Sequence, residues 1–534
     1  MKKFILSLFA ASFVGVAWAQ STAELLGFSQ HNFTFATARS AAMGGAFTSL
    51  GADAVSMNLN PAGLAMYRRS EIIITPYLNL GNTSNSYAVP LSSKLQNSPS
   101  NNEKYNKFGL GNIAGVYANG NYTIGFGFSR VADFYSNSLS TGFDEGLSIT
   151  DMFAAQLAGI DKKNIGVPPG DIYRAFYDYP PVLWGAILGY QTGGVIPADG
   201  NATQYYSLLY GGDKVAPYLL SKKSGAIDEF TLSGAYNFED KIYFGATMGF
   251  QDIRYSRWDN YQEYGEKGNK GDLDMVDYNR RLATTGSGFN FKVGVTARPV
   301  SWMRIGVSYH SPTWMSLRES YYEDMTTFNR LDNGKSYYSD TPEFLNDYNA
   351  YTPSRLLSGV SISLSNRLIL SFDYHRCWYG NMGFSKSFKE YAYRPTVLSD
   401  AVDNYANIQA NMDKRNGNIN LNGIISNNYE ATNTFSLGLE AQVLPGFFAR
   451  AGALVQDSPY KNKNLKDYGR IEQGSFGIGW RNSNFNIDIA WLNSTTKQLP
   501  YQYFNLNKDN ISSAGWNSAT HTTDRIMMTF GLRF

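Results

Sequence analysis

The chain has 534 residues, of which 17% are charged and 15% aromatic, with Tyr 38, Phe 33 and Gly 51. So few charges beside so many rings exclude a disordered chain. Lys and Arg total 46 against 44 Asp and Glu, and removing Lys2 and Lys3 with a leader leaves 44 against 44, so nothing electrostatic points to a nucleic-acid partner.

Lys2 and Lys3 precede an apolar stretch from Phe4 to Val16, and Ala17-Trp18-Ala19 supplies small residues at a cleavage site. Residues 1–19 therefore read as a signal peptide, with the mature chain starting at Gln20 and leaving the cytoplasm. After the leader no apolar run reaches the roughly 18 residues that a transmembrane helix takes. The single Cys377 excludes an internal disulfide framework and a cysteine-based zinc site.

Residues 20–69 do not alternate. They hold Ala38-Arg39-Ser40-Ala41-Ala42-Met43-Gly44-Gly45-Ala46-Phe47, then Asn58-Leu59-Asn60-Pro61-Ala62-Gly63-Leu64. Small residues and paired glycines suit closely packed backbone rather than a solvated linker.

From residue 70 to 534 the dominant signal has period two, so each segment has one apolar and one polar face. Thr434–Val443 is the clearest case: Phe435, Leu437, Leu439, Ala441 and Val443 alternate with Ser436, Gly438, Glu440 and Gln442. About fourteen such segments follow, near Ser70–Leu80, Phe108–Ala118, Asn121–Val131, Ile227–Phe238, Lys241–Ser256, Gly288–Val300 and Trp302–Ser311. The remainder lie near Arg355–Ser365, Arg367–Trp378, Thr432–Leu444, Phe447–Asp457, Ile471–Trp480, Asn484–Asn493 and Asp524–Phe534. The first two are the least regular: Ile72, Ile73 and Ile74 are consecutive, and Pro76 interrupts the first.

Connections alternate between short and long. Asn119-Gly120, Glu239-Asp240, Ser365-Asn366, Leu444-Pro445-Gly446 and Asn482-Ser483 are tight, whereas the longest loop runs from residue 132 to 226. A soluble sandwich has alternating faces too, but no reason to segregate its loops this way. The fold expected is all-β: a 14-stranded antiparallel transmembrane β-barrel with an N-terminal hatch inside the lumen. Glycine recurs on the inward parity (Gly125, Gly127, Gly245, Gly294, Gly306, Gly438, Gly452, Gly477 and Gly479), which makes room for a plug or a solute.

Ala42-Met43-Gly44-Gly45-Ala46 and Asn60-Pro61-Ala62-Gly63-Leu64 resemble the N-terminal hatch of the FadL family, in the style of its Bacteroidetes-type members. That family comprises outer-membrane transporters of long-chain fatty acids and other hydrophobic compounds. The resemblance implies a hatch at Gly44, Gly45, Asn60, Pro61 and Ala62. It also implies passive transport without a cofactor, and an integral protein among outer-membrane lipid and lipopolysaccharide. Insertion would run through the barrel assembly machinery, reading the terminal Phe534. In family members a kink in the third strand opens the wall, which makes Gly125 and Gly127 candidates here. An ordinary turn remains the other reading of Asn60-Pro61. PorV-type barrels, which partner a secretion system, resemble the same runs and supply an alternative function.

Other residues bear on chemistry. Phe153, Leu157 and Ile160 recur at helical spacing after Thr150 or Asp151, and Phe176, Leu183 and Trp184 follow. They form either a docking groove for a hydrophobic ligand or a loop minicore. Symmetric pairing about Leu444-Pro445-Gly446 sets Glu440 opposite Arg450 in the lumen. His310 and His375 face inward, and a lumen hydrogen bond suits them better than catalysis. Outward Arg376 suits lipid headgroups or a snorkelling rim. No nucleophile elbow, phosphate loop or metal-ligand cluster occurs, so neither an enzyme nor a metal site is expected.

Overall fold

A strand with one apolar and one polar face is stable in lipid only if every backbone group finds a partner, and closing the sheet achieves that. The structure, a computed structural model, describes residues 22–30, 36–88, 101–141, 148–179, 181–209, 213–265, 269–330, 334–365, 367–385, 412–413, 418–419, 421–498, 504–506, 511–513 and 516–534. The expected leader and cleavage site lie outside the described residues, as does Asn366 of one tight turn.

Fourteen antiparallel strands form the wall. They are β1 (Glu71–Ala88), β2 (Asn101–Asn119), β3 (Tyr122–Asp133), β4 (Val215–Phe238), β5 (Ile242–Gly265) and β6 (Leu273–Val300). Next come β7 (Met303–His310, continued by Trp314–Asn329) and β8 (Phe344–Tyr351, continued by Arg355–Ser365). The remaining six are β9 (Leu368–Trp378), β10 (Ala431–Leu444), β11 (Phe447–Gln456), β12 (Ile471–Arg481), β13 (Phe485–Gln498) and β14 (Trp516–Arg533). Each pairs with the next, and β14 returns to β1 from Glu71↔Arg533 to Ala88↔Trp516, which closes the barrel. Among the described residues no helix is long and apolar enough to cross a membrane.

The outward face carries an apolar band. On β5 it runs through Phe244, Met248 and Phe250, all exposed, and gives way to Asp252 and Arg254. On β6 it stops at Phe289, beyond which Ser287, Thr285 and Arg281 face out. Each strand thus spends about 9 residues in the band, near the roughly 9–11 that a tilted strand needs to cross hydrocarbon.

β4 to β7 continue well above the band, and there the pattern inverts: the outward face turns polar while inward residues such as Tyr255, Tyr261, Val276 and Tyr278 pack in the apolar cluster of the dome. The observed strands therefore begin earlier than expected at Ile227 and Gly288, and Trp314–Asn329 and Phe344–Tyr351 add a hairpin absent from the expectation. Pro312 and Pro353 interrupt β7 and β8; β7 resumes between β6 and β8 beyond its proline, whereas the Phe344–Tyr351 stretch of β8 pairs with β7 on one side and with Gly383–Phe384 on the other. A proline cannot donate to the ladder, which breaks the pattern without ending the strand. Pro76 acts in the same way: the β1 register shifts between Thr75 and Pro76, and the strand runs on to Ala88.

Two bodies fill the barrel. Residues 36–66, with α2 (Ala38–Ala42) and two short 3₁₀ turns, occupy the end of the lumen next to the tight turns. Residues 148–209 form a dome above the band. α1 (Thr22–Ser29) buries Leu25, Leu26 and Phe28 in the same apolar cluster as the dome.

Candidate functional site

The row of inward glycines marks the footprint of the hatch. Glycine at 245 and 294 lets the Asn60-Pro61-Ala62 backbone lie against the wall, where any side chain would collide with Pro61 and Asn60. Gly452 meets Gly44 in the same way, and a Cβ on Gly438 would stand 2.8 Å from the Met43 carbonyl oxygen. Gly44 and Gly45 take φ of +63° and +75°, the left-handed region that glycine enters without strain. Asn60 caps the turn Pro61–Met66 by accepting from the Ala62 N–H at 3.2 Å. Its amide donates to the Thr48 carbonyl at 2.7 Å and to Thr296 Oγ1 at 3.0 Å, so one side chain shapes the hatch and moors it to β6.

Charge reinforces the mooring. Glu440 and Arg450 stand opposite each other in the β10–β11 register and bond at 2.6 Å. Arg39 of the hatch closes a bidentate pair on the same carboxylate, at 2.8 and 2.9 Å, while Arg450 also reaches Asp488 at 2.7 Å. Asp373 accepts the Phe47 and Thr48 N–H groups, each at 2.8 Å. His310 contacts the Leu59 carbonyl at 2.8 Å and His375 contacts Thr48 Oγ1 at 3.3 Å, so both histidines face the hatch. Arg39 stands within the hatch motif, but its role needed the knowledge that the hatch lies beside Glu440.

Gly125 and Gly127 pack on Met57 of the hatch, and the ladder is continuous past both, to β2 on one side and β4 on the other. The wall is closed at these glycines. It loses its ladder higher up: β2 and β3 pair only from Asn112↔Ser129 to Asn119↔Tyr122. Above that level, residues Asn101–Leu110 of β2 pair with β1 alone. The register of β3 on β4 shifts between Arg130 and Ala132, and the chain then forms the strand Ser136–Thr141 on upper β4. This strand leans into the lumen, where Asn85 of β1 donates to Ser138 Oγ at 3.2 Å.

Side chains clasp the resulting seam. Asp133 accepts from Lys107 of β2 at 2.8 Å and from Tyr77 of β1 at 2.8 Å, while Arg130 holds Tyr77 at 3.0 Å and Asp228 at 2.9 Å. Behind the clasp lies a lumen cavity of about 340 Å³, reached by Asp133, Tyr105, Lys223, Tyr255, Gln473 and Arg525.

The six residues read as a groove or a minicore form a minicore. α3 (Ile149–Leu157) is capped by Ser148 rather than Thr150 or Asp151, with Asp151 completing the capping box. Phe153, Leu157, Ile160, Phe176, Leu183 and Trp184 are all buried. Their rings pack inward: Phe153 on Tyr278 at 5.6 Å, Phe176 on Trp184 at 5.8 Å, and Trp184 on Phe344 at 6.0 Å. None of them reaches the lumen cavity. Outward Arg376 donates to Asn433 at 2.6 Å, and Cys377 is buried.

Comparison with family models and with curated proteins finds no match. Solved structures do match over nearly the whole chain. A Pseudomonas aeruginosa FadL homologue aligns at 12% identity over 93% of this chain and 98% of its own, with a TM-score of 0.52. The P. putida toluene transporter TodX aligns at 12% identity over 94% of this chain and 99% of its own, with a TM-score of 0.48. The Ralstonia pickettii toluene transporter TbuX aligns at 15% identity over 94% and 99%, with a TM-score of 0.44. The chain has the fold of the FadL homologue: a closed fourteen-stranded barrel holding its own amino-terminal segment.

Proposed function

We propose that this chain is an outer-membrane channel of the FadL type that passes hydrophobic compounds, long-chain fatty acids among them, down their gradient. The observation that carries the reading is the coincidence of three features: a moored hatch, a cavity above it, and a seam beside that cavity where β2 and β3 share no ladder. A solute enters through the dome, rests in the cavity and leaves sideways between β2 and β3 when the Asp133 clasp releases. A barrel that only partnered a secretion system would need no cavity at a breach in its wall.

The test uses proteoliposomes and labelled oleate. Lys107→Cys with Asp133→Cys, bridged by a bifunctional thiol reagent, locks the seam. Uptake should stop when the bridge forms and return when a cleavable bridge is cut. Uptake unaffected by the bridge rejects the lateral route, and no uptake above protein-free vesicles rejects transport itself. A protein lacking Gln20–Leu64 should leak ions continuously.

A further inference from the structure

The cavity at the seam has an unusual lining for a hydrocarbon. Among the described residues its only aliphatic side chains larger than alanine are Ile471 and Leu492. Its apolar surface is aromatic instead. Phe28, Phe134 and Tyr255 stand edge to face at 5.3 to 5.7 Å, and Tyr105 lies 5.0 Å from Tyr135. Such rings offer both edges and faces, an arrangement that favours another ring over a flexible acyl chain.

The polar part is one-sided. The Lys223 ammonium reaches this lining yet makes no hydrogen bond or ion pair among the described residues. The carboxylates whose charge it feels are Glu24 and Asp259, and Asp259 is held by Arg257 at 2.9 Å and Arg280 at 3.1 Å. Gln473, only 7% exposed, lines the cavity with its amide nitrogen unpartnered. Both are donors, the Gln473 nitrogen a buried one and the Lys223 ammonium a half-buried charge, so a ligand that supplies acceptors is favoured. Three cations in the lining, Lys223, Arg257 and Arg525, face two anions, Glu24 and Asp133, an excess of one positive charge.

We infer that the cavity receives a compact aromatic acid, its ring among Phe28, Tyr105, Tyr135 and Tyr255 and its carboxylate on Lys223 and Gln473. This rests on the channel reading above and narrows its substrate class. The carboxylate supplies the acceptors and the single negative charge that the lining lacks, and the ring replaces water on aromatic surface.

The test is titration of the detergent-purified full chain with 2-naphthoate, 2-methylnaphthalene and oleate, followed by calorimetry. Naphthoate should bind at least tenfold more tightly than its methyl isostere, since a hydrogen bond to a charged group contributes about 1.5–3 kcal/mol. Lys223→Met should abolish that preference, and Gln473→Leu should reduce it. Equal affinity for naphthoate and methylnaphthalene, or a preference that survives both substitutions, overturns the inference. If Lys223→Met does not fold, the wild-type comparison and Gln473→Leu decide. Vesicle uptake separates the two readings. Oleate uptake without naphthoate preference sinks only the aromatic acid, whereas naphthoate binding without uptake of any solute sinks the channel.

Discussion

Replacing Arg39 by Met should undock the hatch while sparing the barrel. Arg39 and Arg450 bring two positive charges to Glu440 and Asp488, and the four side chains are 9%, 1%, 6% and 4% exposed. Methionine keeps much of the volume but leaves one buried carboxylate uncompensated. Breaking a buried pair in this way costs about 3–5 kcal/mol, so hatch opening should become roughly two to three and a half orders of magnitude more frequent. Hydrogen exchange of residues 36–66 in micelles reads the opening, and single-channel recording in planar bilayers reads its consequence. The double variant Arg39→Met with Glu440→Gln keeps the Arg450–Asp488 bond and restores charge balance, so it should recover most of the protection. An Arg39→Met hatch as protected as the parent, or a double variant as exposed as the single one, would refute the reasoning.

Three further outcomes are expected. Gly452→Val forces a side chain into the Gly44 backbone and should give a folded but leaking barrel, whereas Gly115→Ala, with nothing near its Cβ position, should change neither conductance nor heat resistance. Trp184→Ala removes a ring packed on Phe176, Tyr321 and Phe344 and should weaken the dome by about 3–5 kcal/mol, visible as faster proteolysis of residues 148–209. Glu263 stands above the apolar band, and burial pushes its carboxyl up to about 7 despite bonds from the Ile149 N–H at 2.7 Å and Tyr261 at 2.6 Å. A raised acid is stabilising while protonated, so the dome should lose on the order of 3 kcal/mol as pH rises from about 4.5 through 7. Exchange at α3 should accelerate across that range in the parent and stay flat in Glu263→Gln.

The wall was legible in the sequence wherever hydrocarbon imposes its rule. Arg355–Ser365 and Phe447–Gln456 fall within a residue of their expected bounds because lipid outside and a polar, hatch-facing lumen inside leave the chain no choice but strict alternation. Above the band the outward face turns polar and the inward face mixes Tyr255, Tyr261 and Tyr278 with Arg257, Asp259 and Arg280 against the dome, so the parity read in the band no longer marks the strand. The inward glycines were visible as a set, but only their partners show that they outline a plug. Glu440 and Arg450 could be placed opposite each other by counting back from a turn. Arg39 could not, since no periodicity links residue 39 to residue 440. Lys223 and Gln473 carry no local signal either: each becomes notable through what it fails to contact in the folded chain.

On the channel reading proposed above, the route is decided by what each exit must break. Straight passage requires the hatch to leave, which disrupts the Arg39–Glu440 pair, the two amide bonds to Asp373 and the Asn60 mooring, all of them buried. Sideways passage requires the side-chain contacts across the seam to part, namely Asp133 with Lys107, Tyr77 and Asn79, Arg130 with Tyr77, and Asn85 and Asn101 with the strand Ser136–Thr141, while no ladder bond joins β2 to β3 above Asn112. The Lys107–Asp133 pair is the more exposed of the two, at 22% and 5% against 9% and 6% for Arg39–Glu440. The seam also opens at the right height. Phe108, three-quarters exposed at 75%, sits on the stretch of β2 that lacks a β3 partner and faces outward, so the lower end of the seam lies within the apolar band. A hydrophobic solute leaving there enters lipid without crossing water, whereas one forced past the hatch would meet the aqueous periplasm. On the channel reading proposed above, the hatch is therefore the floor that directs solutes to the seam rather than the gate through which they pass.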